Sequence, residues 1–430
     1  MADLTTGINI NTSWLSGIQT MFRKEMRPQI EKDLVMDQFG RVINFELNMG
    51  GKKYSIFNTR KLAKIITNLE EGTVPTANTL SLDFQNMDVE RYGDWLPITE
   101  ESIRYPKQNA MQAAGDEQKL QGAESIDWRA MRRVAPFGYP LRSDISATYM
   151  KRGTVSAATT TAITAKENIG GATDRFNGGY IFFETGVLAG QVFEITDTTS
   201  AADAVFTIGN TNHSYMEATT PKAAVAGDAF IVAVGTGITS SLKVTSSNLK
   251  QMVAVLALYG QKRFTQGAAG GYFAFVASPE VQLDFMNESA WKDAYKFTDA
   301  SNIRKGVAGE YGGLRVFQTQ QLYRESAAGV QSDTGAVHRV MAIGPKAYWR
   351  TKIKGDNTGL QVVIRQPKEL GQALDMYFSR GWEATTGSKV VDARALVSML
   401  VGGSAISVQQ RRINGMGRET SPPDFRRRYG

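Results

Sequence analysis

Apolar and polar residues alternate at Leu80, Leu82 and Phe84 and again at Met87 and Val89, the two-residue period of a half-buried strand. The run Arg91-Tyr92-Gly93-Asp94-Trp95 interrupts the alternation, and Pro97-Ile98-Thr99-Glu100-Glu101 follows it. Thr99 followed by two carboxylates has the form of a helix N-cap and an acidic first turn. The pattern predicts a long strand pair that leaves a body, carries Gly72 and Pro75, and returns to start a helix. That helix is expected over 99–134, with Ile103, Met111, Leu120, Ile126, Ala130 and Met131 facing inward. Gly115 and Gly122 weaken it by about 1 kcal/mol each relative to alanine, and Pro136 and Pro140 end it.

Upstream, Trp14, Ile18, Met21 and Phe22 sit at helical spacing within a polar arm, and Pro28 interrupts them. Val42, Phe45 and Leu47 lead into the turn signal Asn48-Met49-Gly50-Gly51, and residues 53–57 return, which predicts a second strand pair. Downstream, residues 150–240 are rich in Thr, Ala and Gly, with short strand patterns at 180–184, 191–195, 204–208 and 230–234. Turn-punctuated strands at such spacing predict a small β-sandwich or barrel over 153–240. From Leu242 the pattern is mixed α/β. A helix is expected over 249–264, a buried strand over 271–277, and a helix opened by Ser278-Pro279-Glu280 that runs through Trp291 and Tyr295. Strands are expected at 314–317, 338–343, 360–365, 377–382 and 390–401.

Composition narrows the chemistry. The 430 residues allow roughly two to three domains. No apolar run approaches the length of about 18 residues that a membrane span needs, and MADLTTGINI lacks the basic and apolar regions of a secretory signal. Cysteine is absent, which removes disulfides, thiolate nucleophiles and thiolate metal sites. The two histidines, His213 and His338, are too few for a multi-histidine zinc site. Neither HExxH nor GxSxG occurs, and no cofactor-binding pattern is present. The glycines from Gly306 to Gly313 lack the Gly-Lys-Ser/Thr ending of a nucleotide loop and read as a turn beside a strand. Glu100 and Glu101 diverge by about 100° on a helix, a poor acid/base pair. Asp197, Asp203 and Asp228 would hold a divalent ion only if their loops converged, and read as solvated carboxylates. His338, at the head of a strand, reads as structural.

Charge is uneven. The net charge is +7, but residues 155–240 carry −5 and the remainder +12. Either one part faces bulk solvent while the rest meets acidic partners, or the basic residues only keep the body soluble. The last twenty residues hold Arg411, Arg412, Arg418, Arg426, Arg427 and Arg428 around Pro422-Pro423. Such an extended arm can contact phosphates, pair with a neighbouring subunit's carboxylates, or remain solvated.

Three segments together resemble the Hong Kong 97-type major capsid proteins of tailed bacteriophages, particularly the branch similar to the N-four coat protein. They are Leu69-Glu70-Glu71-Gly72-Thr73-Val74-Pro75 through Glu101, Ile303-Arg304-Lys305-Gly306 through Thr319, and Gly381-Trp382-Glu383-Ala384 followed by the stretch from Val390 to Val397. The resemblance implies an α+β Hong Kong 97-type capsid fold: an N-terminal arm at 1–40, an extended β-hairpin loop at 41–98, and a spine-helix peripheral domain at 99–152. An axial domain with returning peripheral strands would occupy 241–410, and a basic C-terminal arm 411–430. Residues 153–240 would be an inserted small all-β domain on the outer surface. The implied role is a non-enzymatic coat protein that self-assembles into pentamers and hexamers of an icosahedral shell around double-stranded DNA. Its partners would be copies of itself, portal and scaffold proteins, a decoration protein on the inserted domain, and packaged DNA through non-specific contact, with no cofactor and no membrane. A nanocompartment shell of the same fold, or a carbohydrate-binding phage tail protein, are the alternatives. Arg60, Lys61, Lys64, Glu70, Glu71, Arg91, Arg411, Arg412, Arg426, Arg427 and Arg428 are the expected inter-subunit contacts.

Overall fold

The computed structural model describes residues 34–45, 53–59, 82–99, 110–144, 148–169, 173–199, 203–208, 223–298, 309–325, 337–353, 360–365 and 377–404. The helical spacing around Trp14, the loop at 60–81, His213 and the arginine tail lie outside them. In chain order the elements begin with β1 (Arg41–Phe45), β2 (Lys53–Thr59), β3 (Leu82–Asp88), β4 (Glu90–Thr99), α1 (Ala110–Val134) and β5 (Tyr139–Arg142). Then come β6 (Met150–Ala158), β7 (Ala162–Ala165), β8 (Tyr180–Phe183), β9 (Val192–Thr198), β10 (Val205–Ile208) and β11 (Ala229–Ala233). The last part holds α2 (Ser246–Leu258), β12 (Phe273–Ala277), α3 (Pro279–Asn287), α4 (Ser289–Thr298), β13 (Glu310–Tyr311), β14 (Leu314–Gln318) and β15 (Arg324–Glu325). It closes with β16 (Val337–Ile343), β17 (Tyr348–Ile353), β18 (Leu360–Arg365), β19 (Tyr377–Thr386), β20 (Ser388–Val390) and β21 (Leu396–Gly402).

A mixed seven-stranded sheet lies at the centre, in the order β13-β14-β12-β16-β21-β5, with β15 pairing β16. Its inner strands β12, β16 and β21 are buried along their whole length. Such strands carry near-continuous apolar runs because both faces are covered. The strands between Met150 and Ala233 close into a six-stranded barrel, in the order β10-β7-β6-β11-β8-β9. Closure removes unpaired edges, and Phe183, Phe193, Phe206 and Phe230 fill the interior in tilted and edge-to-face contacts. Barrel and sheet share one continuous apolar core. Three smaller sheets are β18-β19-β4, β1-β17-β20 and β2-β3.

Several sequence expectations change in the structure. The turn signal after Leu47 does not join β1 to β2. β1 pairs in parallel with β17, from Arg41↔Trp349 to Phe45↔Ile353, and β2 pairs antiparallel with β3. The two strands share an apolar cluster through Ile43 and Ile56 without sharing hydrogen bonds. The interruption at Arg91–Trp95 and Pro97 does not end the strand, because β4 is an edge strand that pairs β19 from Thr99↔Tyr377 to Glu90↔Thr386. Proline is tolerated on an edge, where its missing N–H removes no ladder bond. Thr99 is the last residue of β4, residues 100–109 lie outside the described ones, and the described helix runs from Ala110 to Val134. Leu120 is exposed and Met131 buried on that helix.

The helix from Pro279 breaks at Glu288, which has extended backbone angles. Its carboxylate leaves to accept the Ser246 N–H (2.7 Å) and hydroxyl (3.0 Å) at the start of α2. The expected strand over 390–401 is likewise broken. Asp392 accepts the Arg394 N–H at 3.0 Å and opens a short 3₁₀ turn, Ala393–Ala395, before β21. The glycines at the end of the 306–313 run form a two-residue hairpin turn between β13 and β14, with Tyr311↔Leu314 closing it. Gly312 and Gly313 both have positive φ (60° and 94°), as a turn matched to strand twist requires.

Candidate inter-subunit surfaces

The β2–β3 pair is a sheet of two strands among the described residues, and an isolated two-stranded sheet is marginal in water. It is attached at one end. Ile56 and Met87 bury against Ile43 and Val391, with Tyr54 and Trp349 packed around them. The buried Lys389 of β20 donates from Nζ to the Asn86 carbonyl. A Cβ on Gly387 would sit 2.5 Å from the Asp88 carbonyl oxygen, so only glycine lets the strand end approach there. Ser55 donates to Asn86 Oδ1 across the pair at 2.8 Å.

The sheet β18-β19-β4 lies against α1, and even-numbered residues make the contact. Trp382 donates from Nε1 to Gln121 Oε1 at 3.1 Å, and Gln118 donates to the Arg380 carbonyl at 2.9 Å. Arg129 stacks on the Tyr92 ring at 3.6 Å, while Arg133 reaches Tyr92 Oη (3.2 Å) and Glu90 (2.7 Å). Arg380 is fully buried beneath α1 at Gly115, where any Cβ would overlap its guanidinium. The opposite face carries Trp95, 55 % exposed, and the Arg91–Glu383 ion pair. The Glu383 carboxylate raises the Arg91 pKa. With 72 % of the Arg91 side chain exposed, the pair contributes little to subunit stability.

The barrel joins the body through aromatic contacts and buried charge. Tyr139 packs edge-on to Phe182 at 4.9 Å and Phe137 to Tyr180 at 6.0 Å, and Tyr259 flanks Tyr139 at 5.8 Å. The fully buried Arg142 donates to the Val234 carbonyl and to that of Thr236 (2.9 Å), and forms a two-bond fork on Asp144 at 2.9 and 3.0 Å. It therefore ties the segment leading into the barrel to the segment leaving it. Arg339 pairs with Glu325 where both are about 1 % exposed, and stacks over Tyr180 at 4.6 Å. Burial raises the Glu325 pKa, and Arg339 opposes the shift. A second buried pair joins Arg324 to Glu280 at 3.0 Å. Buried ion pairs of this kind are costly to break singly because the surviving charge is left uncompensated.

Near the described N-terminal end, Asp127 of α1 accepts the Met36 N–H at 2.9 Å, the Val35 N–H, and the Thr319 hydroxyl at 3.3 Å. Burial pushes its carboxyl up to about 6. Tyr348 donates its hydroxyl to the Met36 carbonyl, and Arg350 pairs with Asp37.

Of the expected contact residues, Arg91 lies on an exposed sheet face. Arg60, Lys61, Lys64, Glu70, Glu71, Arg411, Arg412, Arg426, Arg427 and Arg428 lie outside the described residues. His338 is buried with Nδ1 at 3.0 Å from the Ser278 hydroxyl, which also accepts the Val281 N–H as a helix cap. Among the described residues no group of three acidic or histidine side chains is placed to hold a metal, and Asp228 accepts the Val225 N–H of its own turn. The positioning groups that the sequence analysis passed over are Asp127, Arg142, Arg339, Arg380 and Lys389. Arg339, set in the otherwise apolar run Val337-His338-Arg339-Val340-Met341, carried a local signal of this kind, whereas the others have charged neighbours in sequence and carried none.

No family model matches the sequence, and no curated protein matches it. Solved structures do. The chain in the Cyanophage Pam1 capsid asymmetric unit superposes with a TM-score of 0.50 at 12% identity, covering 86% of this chain and 90% of that one. The capsid of the Cyanophage P-SCSP1u gives 0.47 at 10% identity over 86% and 89% of the two chains. The mature capsid of bacteriophage PhiM1 gives 0.45 at 9% over 93% and 90%. Resting on the Pam1 superposition, which spans nearly all of both chains, this mixed α+β chain has the fold of a phage capsid subunit.

Proposed function

We propose that this chain is the major capsid protein of a tailed bacteriophage, located in the virion. Copies of it would assemble into pentamers and hexamers of an icosahedral shell enclosing double-stranded DNA. The observation that carries the reading is the fold shared with the Pam1 capsid chain across 86% of this sequence. The domain layout follows the Hong Kong 97 plan, with α1 as the spine helix, the seven-stranded sheet as the axial domain and the barrel as a surface insertion. The role is structural and non-enzymatic. The two-stranded β2–β3 arm, whose described anchor is the cluster of Ile56 and Met87 with Ile43 and Val391, suits a segment that gains its packing partner from a neighbouring subunit. Subunits in a ring make heterologous contacts that close by rotation. Arg91 on its exposed sheet face, the charges of the 60–81 loop and the tail arginines would set register between neighbours. Scaffold and portal proteins would act during assembly in the bacterial cytoplasm, and a decoration protein would bind the barrel.

The test is electron microscopy with light scattering on the purified protein, alone and with its scaffold co-expressed. Closed shells or hexamer sheets at megadalton mass are expected. A uniform small oligomer in both preparations would overturn the reading. Nuclease-protected DNA in shells from infected cells is the expected cargo, and protein cargo without DNA would move the chain to a cellular compartment.

A further inference from the structure

Asp127 is a buried charge whose recorded partners are all neutral. Its oxygens accept from the Met36 and Val35 amides and the Thr319 hydroxyl. The ionisable groups on the elements packed around it include the Tyr348 phenol, which donates to the Met36 carbonyl, the Asp37–Arg350 ion pair, and the buried Lys389 of β20, while Glu124 and Arg129 lie within a turn of it on α1. Arg350 is directed to Asp37 and Lys389 to the Asn86 carbonyl, and among the described residues Asp127 forms no ion pair. We propose that docking of residues 34–40 onto α1 is linked to proton uptake by Asp127, so that this N-terminal segment is held more firmly in mild acid than at neutral pH. The inference does not depend on the capsid reading.

The physical basis is desolvation. A carboxylate removed from water without a counter-charge is disfavoured relative to its neutral acid. When the segment lifts away, water reaches Asp127 and its ordinary acidity returns. The docked form therefore binds the proton more tightly, with its carboxyl pushed up to about 6, above the ordinary aspartate range. The sign follows from linkage. Docking gains nothing while both forms are ionised at neutral pH. It strengthens as pH falls through the docked value, and the gain is complete once pH is below the undocked one.

The experiment is hydrogen exchange on the full chain, following amides 34–40 at pH 7 and pH 5 after correction for intrinsic rates. Protection about tenfold higher at pH 5 is expected. In Asp127→Asn, which stays neutral and keeps an acceptor, protection should be the same at both pH values. Equal protection of the wild type at both pH values would overturn the proposal, as would a tenfold ratio that survives in Asp127→Asn. Tyr348→Phe removes a docking bond that does not titrate in this range. It should lower protection at both pH values and preserve the ratio, and loss of the ratio there would also sink the idea. Should Asp127→Asn fail to fold, the wild-type and Tyr348→Phe ratios still decide it.

Discussion

Fully buried guanidinium groups organise this subunit residue by residue. Arg142, Arg339 and Arg380 each sit where two segments of the chain meet, and arginine suits such points because its planar fork satisfies several acceptors at once. Gly115 shows how closely one of them is packed. A helix-interior glycine ordinarily gains about 1 kcal/mol on replacement by alanine. Here the added methyl would overlap the Arg380 guanidinium, so Gly115→Ala should instead destabilise by about 1–3 kcal/mol. A urea midpoint that rises in this variant would rule out the close approach. Arg142→Met strips the Val234 and Thr236 carbonyls of a buried donor. A loss of about 2–4 kcal/mol is expected, with faster protease cleavage at the chain segments flanking the barrel. Unchanged cleavage would show that the aromatic contacts alone hold the junction.

Elements were legible where period and punctuation agreed. Ser278-Pro279-Glu280 read as cap, first turn and acid, and the helix begins there with Ser278 accepting the Val281 N–H. The short barrel strands from Tyr180 onward were visible because turn residues separate them, whereas β6 and β7 were hidden by their threonines and alanines. Pairing was less legible than the strands themselves. Nothing local in Arg41–Phe45 points to a parallel partner three hundred residues away; Trp349 of β17 meets it through the cluster of Ile43 and through the Arg41 guanidinium over its ring. The breaks at Glu288 and Asp392 arise from side chains that cap a helix or turn, a tertiary choice that apolar spacing does not encode. The hairpin at Gly312-Gly313 gives an element-level test. Gly312→Asn should be nearly neutral, since asparagine tolerates left-handed angles. Gly313→Val should cost about 1–2 kcal/mol and lower exchange protection in β13 and β14. Equal effects from the two substitutions would contradict the turn geometry.

At the scale of the whole molecule, the arm illustrates how stability and assembly separate. Its base is fixed by a small cluster and by Lys389, while the body's core lies elsewhere. Lys389→Met should therefore leave the main unfolding transition within about 1–2 kcal/mol of the wild type and, on the proposed capsid function, reduce the yield of closed shells. A variant that melts early and assembles normally would reverse that assignment. The sequence reading placed Arg91 among the inter-subunit contacts and missed its pairing with Glu383 of the same chain, because the register of β4 on β19 lies beyond local pattern.

One further property follows from how the barrel is spliced into the chain. It begins at Met150 and ends at Ala233, and these two residues face each other in adjacent antiparallel strands. Tension applied across the flanking segments would therefore not shear the barrel lengthwise but peel β6 from β11, one hydrogen bond at a time. The Arg142 bonds to Val234 and Thr236 lie just outside that first pair and take the load before it. Under such load this side chain would act as a mechanical fuse, setting the force at which the barrel yields while the central sheet stays intact.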